Sequence, residues 1–419
     1  MQTITLLKDK RIILAATGSI AVYKAVDLAS KLTQVGALVD VIMTDSAQRF
    51  VAPITFKAVT GRAVYTDMWQ ADNSGGLPTH IAHVGLGEGA DLMAVVPATA
   101  NTIAKLATGI ADNLLTVTAL AARCPLLIAP AMDGGMYEHP ATQANIETLL
   151  KRGAYLVEPE EGRFASGLIG RGRLPDTQTL IGHIRLLLAQ NGALHGNHVV
   201  VTAGGTREAL DPVRFIGNHS SGKQGYALAQ AALDVGAKVT LISTVDLPTP
   251  IGAKLDKVDS AESMLEAVLH YALKELHRIL IMSAAVADFR PATRSVQKIK
   301  KKDDDSAPTL VLERTADILQ SVKAARDSTI DRLSPSVVVG FAAESENLLN
   351  NARIKLERKG LDLIVANDIT ATDAGFASDY NRVVILDRDG GREEIERQSK
   401  TQISERVIER VADILTQRA

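Results

Sequence analysis

The residues able to do chemistry gather where short apolar runs end. In ATGSIAVYK, Gly18, Ser19 and Ile20 stand between an apolar run and an amphipathic one. Backbone N–H groups at such a strand-to-helix turn, with the Ser19 hydroxyl beside them, suit a phosphate. The G-x-G-x-x-G spacing of a dinucleotide site is missing, so one phosphate, as in FMN, fits better than a nicotinamide cofactor. A tight turn without a ligand is the competing reading. Thr44 and Ser46 in MTDSAQRF, and Ala98, Thr99 and Asn101 in VPATAN, add hydroxyls and an amide beyond two further apolar runs. Asp133 follows a fourth, PLLIAPAM. His83 lies in HIAHVGLGEGADL with His80 three residues before it, and is either a packing or a catalytic histidine.

The second half carries GNHSSGKQG, in which Gly217, Gly222 and Lys223 mimic a P-loop. Gln224 stands where Ser or Thr should meet Mg²⁺, and the motif does not directly follow the HVVV run. Both features argue against a P-loop NTPase. A polar loop feeding a helix still holds anions, and Asn218 offers a neutral amide to an acyl-phosphate oxygen. Asp288, in AAVADF, is placed for a nucleotide hydroxyl, a base edge or a metal ion, or else is a plain loop acid. Lys298 follows in KIKKKDDDS, a loop whose lysines suit phosphates as point charges. Residues 162–173, GRFASGLIGRGR, place Ser166 in a glycine- and arginine-rich stretch that reads as a linker, a phosphate cradle or a flap.

These sites need a frame. RIILAATGS, ALVDVIMT, DLMAVVPATA, PLLIAPAM and, more weakly, AYLVEP read as strands separated by helical stretches. The pattern restarts at HVVVTAGGT and runs through KVTLIST, RILIMSAAVADF, SVVVGFAAES and DLIVAND to a last helix, TQISERVIERVADILTQ. Alternating strands and helices predict α/β architecture with parallel sheets, and right-handed crossovers make each doubly wound. Two tandem domains follow, 1–190 and 191–419, divided by the polar connector near 188–197. Ligands of such sheets bind beyond the carboxyl ends of the strands, where the residues above fall.

Bulk properties agree. The chain has 419 residues, 46% hydrophobic and 22% charged, enough for two buried cores. A net charge of −2 excludes a broad nucleic-acid footprint. The one cysteine, Cys124, permits no internal disulfide and reads as a buried small hydrophobe. No run is long and apolar enough to span a membrane, and a cytoplasmic protein is expected.

Taken together, TGSIAVYK, HVGLGEGADL, VPATANTIAKLATGIADNLL and PAMDGGMY resemble the flavin-containing cysteine decarboxylases. AGGTREALDPVRFIGNHSSGKQGYALA, SAAVADFRPA, QKIKK, GFAAES and KGLDLIVAND resemble phosphopantothenate–cysteine ligases. In this order they resemble the bifunctional decarboxylase/ligase family of coenzyme A biosynthesis over nearly the whole chain. The resemblance implies a flavodoxin-like N-terminal domain and a Rossmann-like C-terminal one. The latter would join 4′-phosphopantothenate to cysteine through an acyl-cytidylate, using CTP and Mg²⁺, which Asp288 would help to hold. Asn218 would handle the acyl intermediate and Lys298 the triphosphate. Arg214, Ser283, Ala284, Asp288, Asp317, Ile318, Phe341, Lys355 and Lys359 would bind the substrates. The former would use FMN, with His83 catalytic, to decarboxylate phosphopantothenoylcysteine to 4′-phosphopantetheine. The family also implies trimeric flavin domains and dimeric ligase domains, together a dodecamer.

Three positions depart from the family pattern. Ala316 replaces a proline, Asp133 an asparagine that grips the substrate carboxylate, and Ser166 the flap cysteine that donates a proton. A carboxylate facing a carboxylate is repelled unless one is protonated or a cation intervenes, and a hydroxyl is a far weaker acid than a thiol of pKa about 8.5. These departures leave open an active ligase fused to a flavin domain with lost or incomplete decarboxylation, and a non-catalytic flavoprotein-like regulator.

Overall fold

A computed structural model describes residues 4–69, 81–163, 167–273, 278–300, 309–328, 335–344, 347–368 and 378–418. The chain divides into two compact units, Met1–Ala189 and Gln190–Ala419.

In the first unit β1 (Arg11–Ala16), β2 (Leu38–Met43), β3 (Val64–Tyr65), β4 (Leu92–Ala98), β5 (Leu126–Pro130) and β6 (Tyr155–Leu156) form a parallel sheet in the order β3-β2-β1-β4-β5-β6. Its helices are α1 (Val22–Gln34), α2 (Asp45–Gln48), α3 (Pro53–Thr60), α4 (Ala82–Gly89), α5 (Ala100–Thr108), α6 (Leu114–Ala121), α7 (Gly134–Tyr137), α8 (Pro140–Lys151) and α9 (Thr177–Leu188). RIILAA is apolar throughout because both faces of its strand are covered. Ile12, Leu14 and Ala16 join one core with α1 and α9, while Ile13 and Ala15 join another with α5, α6 and α8. An antiparallel hairpin, β7 (Glu160–Arg163) and β8 (Ile169–Arg173), stands apart from the sheet.

The second unit has an eight-stranded sheet in the order β13-β12-β9-β14-β17-β18-β19-β20. Its strands are β9 (His198–Ala203), β12 (Lys238–Ser243), β13 (Ala253–Lys257), β14 (Arg278–Met282), β17 (Val337–Glu344), β18 (Leu363–Asp368), β19 (Tyr380–Asp387) and β20 (Arg392–Ser399). Two small hairpins, β10 (Arg207–Ala209) with β11 (Phe215–Gly217) and β15 (Phe289–Pro291) with β16 (Leu312–Arg314), project from the loops. The helices are α10 (Lys223–Asp234), α11 (Ala261–Ala272), α12 (Ile318–Ser328), α13 (Leu348–Arg358) and α14 (Lys400–Arg418). Strands β19 and β20 run antiparallel to their neighbours, an edge addition the sequence reading does not contain. Val200, Ile242, Leu280, Val338 and Ile364 pack with α11, α12 and α13 on one face. On the other, α10 lies so close to β9 that a Cβ on Gly225 would meet the Ala203 Cβ at 2.5 Å. Among the described residues no helix is long and apolar enough to cross a membrane.

Candidate active sites

In the first sheet the strand order reverses between β1 and β4, and the loops following them open a crevice. Gly18, Ser19 and Ile20 follow β1, Thr44 follows β2, Ala98 ends β4, and Thr99 and Asn101 open α5. Thr17 ties the crevice together: its hydroxyl donates to the Pro97 carbonyl at 2.6 Å and accepts from the Thr99 N–H at 3.1 Å. Gly18 is required by close approach, since a Cβ there would stand 2.4 Å from the Ser46 Cβ. The Ser19 hydroxyl oxygen accepts from the Ala21 N–H and that of Thr44 from the Ala47 N–H, each at 3.3 Å. These contacts use each hydroxyl as an acceptor, so its rotatable proton can still be donated to a phosphate or a polyol. His83 lies in the first turn of α4, which ends just before β4 begins. A helix of that length spans about 12 Å, so His83 lies toward the crevice end of the sheet.

Asp133 follows β5 and caps α7, accepting from the Gly135 N–H at 3.2 Å. Asparagine caps equally well, so the local fold tolerates either residue. The β7–β8 hairpin is fastened beside it. The Met132 N–H donates to the Gly172 carbonyl at 3.0 Å, and Arg171 pairs with Glu158 at 2.8 Å. Glu158 in turn accepts from the buried Tyr137 hydroxyl at 3.0 Å. The stretch read as linker, cradle or flap therefore contains the end of β7 and the whole of β8, while Ser166 itself lies outside the described residues. Cys124 precedes β5, at the edge opposite the crevice, and burial pushes its thiol up to about 11.

The second sheet reverses between β9 and β14. The loops there are zipped together: Ala285 donates to the Gly204 carbonyl at 2.8 Å and Thr206 to the Ala285 carbonyl at 3.1 Å. Across this junction the Asn218 amide donates to the Val286 carbonyl at 3.1 Å. Gly205 permits the approach, because a Cβ there would meet the Asn218 carbonyl oxygen at 2.3 Å. A cavity of about 620 Å³ opens here. It is lined by Asn218, Ser283, Ala284, Asp288, Asp317, Ile318, Phe341, Lys355 and Lys359, nine of the residues singled out from sequence. Lys359 pairs with Asp317 at 3.3 Å, joining the ends of α12 and α13. Asp288 presents one exposed carboxylate, and no cluster of three metal-ligating side chains occurs among the described residues. Gln224, Asn367, Asn381 and Lys400 also line the cavity. Asn381 and Lys400 lie outside every quoted motif, while Asn367 falls in KGLDLIVAND and Gln224 in GNHSSGKQG without having been singled out as site residues.

Comparison with known proteins places this geometry. Residues 2–188 match the model of the family described as Flavoprotein, and residues 194–415 that of the DNA/pantothenate metabolism flavoprotein C-terminal domain. The coenzyme A biosynthesis bifunctional protein CoaBC of Bacillus subtilis (strain 168) is 46% identical over 416 residues, covering 98% of this chain and 99% of the relative. Its namesake in Mycobacterium bovis is 44% identical, covering 97% of each chain. The chain belongs to the bifunctional coenzyme A biosynthesis proteins. It is thus an enzyme with decarboxylase and ligase activities and a flavoprotein domain, and the non-catalytic reading is not favoured. A solved C-terminal domain of a CoaBC protein is 34% identical and covers 54% of this chain and 99% of its own, at a TM-score of 0.44.

Two residues expected from the family's ligase half, Arg214 and Lys298, do not line the cavity. Arg214 is held by Asp211 at 2.9 Å and donates to the Ile299 carbonyl at 2.5 Å. Asp211 is fully buried, which opposes its charge. The N–H groups of Val213, Ile299 and Arg214, with the guanidinium, outweigh that and hold its carboxyl down to about 2. Asp211 thus anchors the loop that carries exposed Lys298. Because its pKa is depressed, the anchor holds above the ordinary carboxylate range and is lost as pH falls toward 2. Asp211→Asn keeps the shape but weakens the anchor. The KM of the ligase reaction is expected to rise about tenfold or more, read from initial rates of ligation.

Proposed function

We propose that the second unit activates 4′-phosphopantothenate with CTP and Mg²⁺ as an acyl-cytidylate, which cysteine displaces, and that the first unit holds FMN and decarboxylates the phosphopantothenoylcysteine so formed. The observation that carries this reading is Asn218 bridging to Val286 across the reversal of the second sheet, inside a cavity that also holds Asp288, Lys355 and Lys359. The lysines offset phosphate charge. Asp288 offers one carboxylate to a magnesium ion whose other ligands are phosphates and water, the usual manner for that ion. Phe341 and Ile318 give the nucleotide an apolar surface.

In the first unit the N–H groups of residues 18–20 and the Ser19, Thr44 and Thr99 hydroxyls fit a phosphate and its polyol, with Asn101 at the rim. FMN supplies the acceptor and later the donor of the electrons of the cysteinyl thiol. The chain's own residues do the rest: His83 orients the substrate from α4, and the β7–β8 hairpin shields the site from water. Asp133 faces the substrate carboxylate. The same reading expects a homo-oligomer, with trimeric flavin domains and dimeric ligase domains up to a dodecamer, which a solution mass would test, and a cytoplasmic location.

Purified protein given 4′-phosphopantothenate, cysteine and CTP should yield 4′-phosphopantetheine, CO₂, CMP and pyrophosphate. Product analysis that stops at phosphopantothenoylcysteine overturns the decarboxylase half. Asp133→Asn keeps the α7 cap and removes a like charge. KM for phosphopantothenoylcysteine is expected to fall about tenfold, the equivalent of ~1.4 kcal/mol, as measured by CO₂ release.

A further inference from the structure

The second unit's cavity reaches past the nucleotide residues. Asp317, Ile318, Lys355 and Lys359 come from α12 and α13, which pack on one face of the sheet. Gln224 and Lys400 come from α10 and α14, and α10 packs on the other face. The Gln224 amide donates to the Ser404 hydroxyl at 2.8 Å, which fixes α10 on the first turns of α14. Asn367 reaches the same place from the carboxyl end of β18, and Asn381 from the start of β19.

The chemistry of this end differs from that of the nucleotide end. Lys400 is 7% exposed and Asn367 9%. Among the described residues, the Oδ1 of Asn367 and the Oε1 of Gln224 are buried without a hydrogen-bond partner. A buried acceptor left unmade is costly, and both line the cavity. Burial and then the charge of Lys223 lower the Lys400 pKa, while Asp379 raises it; a carboxylate placed beside Lys400 favours its charged form. A buried ammonium alone suits any anion. Two acceptor oxygens beside it repel a phosphate and call for N–H donors. The combination complements a small zwitterion, with a carboxylate at one end and an amine at the other.

We infer that this end of the cavity is the amino-acid subsite of the ligase, where Lys400 receives the carboxylate of cysteine and Asn367 and Gln224 accept from its amino group. This rests on the ligase reading above and extends it to the second substrate. The amine nitrogen is held for attack on the acyl carbon that Asn218 serves. The N–C bond forms, the C–O bond to the cytidylate breaks, CMP leaves, and the excess proton of the amine passes to water.

Cysteamine, which is cysteine without its carboxylate, separates the two contacts. The full-length enzyme is assayed with 4′-phosphopantothenate and CTP against either amine. Lys400→Met should shrink the preference for cysteine over cysteamine in kcat/KM by about tenfold or more, the value of a hydrogen-bonded charge contact. Lys400→Arg should retain the preference. Asn367→Ala should raise KM for both amines alike and leave the preference intact. Equal losses for both amines in Lys400→Met, or an unchanged amine KM in Asn367→Ala, overturn the assignment. Should Lys400→Met fail to fold, Lys400→Arg and Asn367→Ala still decide the matter. Wild-type enzyme that releases no pyrophosphate from CTP and 4′-phosphopantothenate overturns the ligase reading itself, and the subsite with it.

Discussion

Asn218→Asp is expected to reduce ligation by about 10²–10³-fold, the cost of losing one preorganised donor to a developing oxyanion. The amide nitrogen of Asn218 has two protons. One is committed to the Val286 carbonyl at 3.1 Å, which orients the group across the sheet reversal. In the proposed ligation the other serves the acyl oxygen of the intermediate. Aspartate has neither proton. Its carboxylate would face the Val286 carbonyl, acceptor to acceptor, and would add a negative charge where acyl and phosphate oxygens already crowd. Asn218→Ala removes the donor without adding charge, so its loss should be smaller by about tenfold. Both variants should melt with the wild type, because residue 218 is exposed in a loop and such substitutions shift stability by only about 0.5 kcal/mol. Trapping the acyl-cytidylate in the absence of cysteine locates the defect. Equal activity of Asn218→Asp and wild type would remove Asn218 from the acyl chemistry.

The long central parallel strands were legible because each is buried on both faces and so reads as an unbroken apolar run, whereas the short β3 and the half-exposed β13 at the sheet margins gave no such run. RIILAA and HVVV are such runs, and their ends marked both crevices. The antiparallel edge was not legible. β19 alternates buried and exposed residues, and β20 is exposed over most of its length, so REEIERQS reads as a charged loop. The reading of sites followed the same division. Asn218, Asp288, Phe341, Lys355 and Lys359 sit just past recognisable strands or within long motifs, and the structure gathers them. Asn381 belongs to the edge addition and Lys400 opens the helix that follows it, so no strand-end argument reached them. Thr17 was hidden for another reason: its work is a pair of hydrogen bonds to Pro97 and Thr99, residues eighty positions away. Lys298 illustrates the reverse. Its type and loop were visible, but its placement depends on Asp211, whose partners lie on both sides of a long sequence gap.

Ser166→Cys is expected to speed the last step of decarboxylation by about 10–10²-fold, within the range of general acid catalysis. After CO₂ leaves, the enethiol must gain a hydride equivalent and a proton, two hydrogens in all, to become the saturated thiol. A thiol of pKa about 8.5 gives up a proton far more readily than a serine hydroxyl. The chain's one cysteine cannot serve, since Cys124 stands at the opposite edge of the sheet with its thiol pushed up to about 11. The frame for a donor is nevertheless intact. β8 is bonded to Met132, next to Asp133, and Arg171 is locked by Glu158 and stacked over Tyr137 with its guanidinium 5.9 Å from the ring centroid. The arms on either side of residue 166 are therefore fixed beside the loop that carries Asp133. Mass analysis distinguishes the enethiol from 4′-phosphopantetheine by two hydrogens. The wild type should accumulate the lighter species early in the reaction, and Ser166→Cys should shift the balance to the heavier one. Cys124→Ser should leave the ratio unchanged. If Ser166→Cys leaves both ratio and rate as they were, the proton reaches the enethiol by another route, and Asp133, already beside the flap, becomes the residue to test.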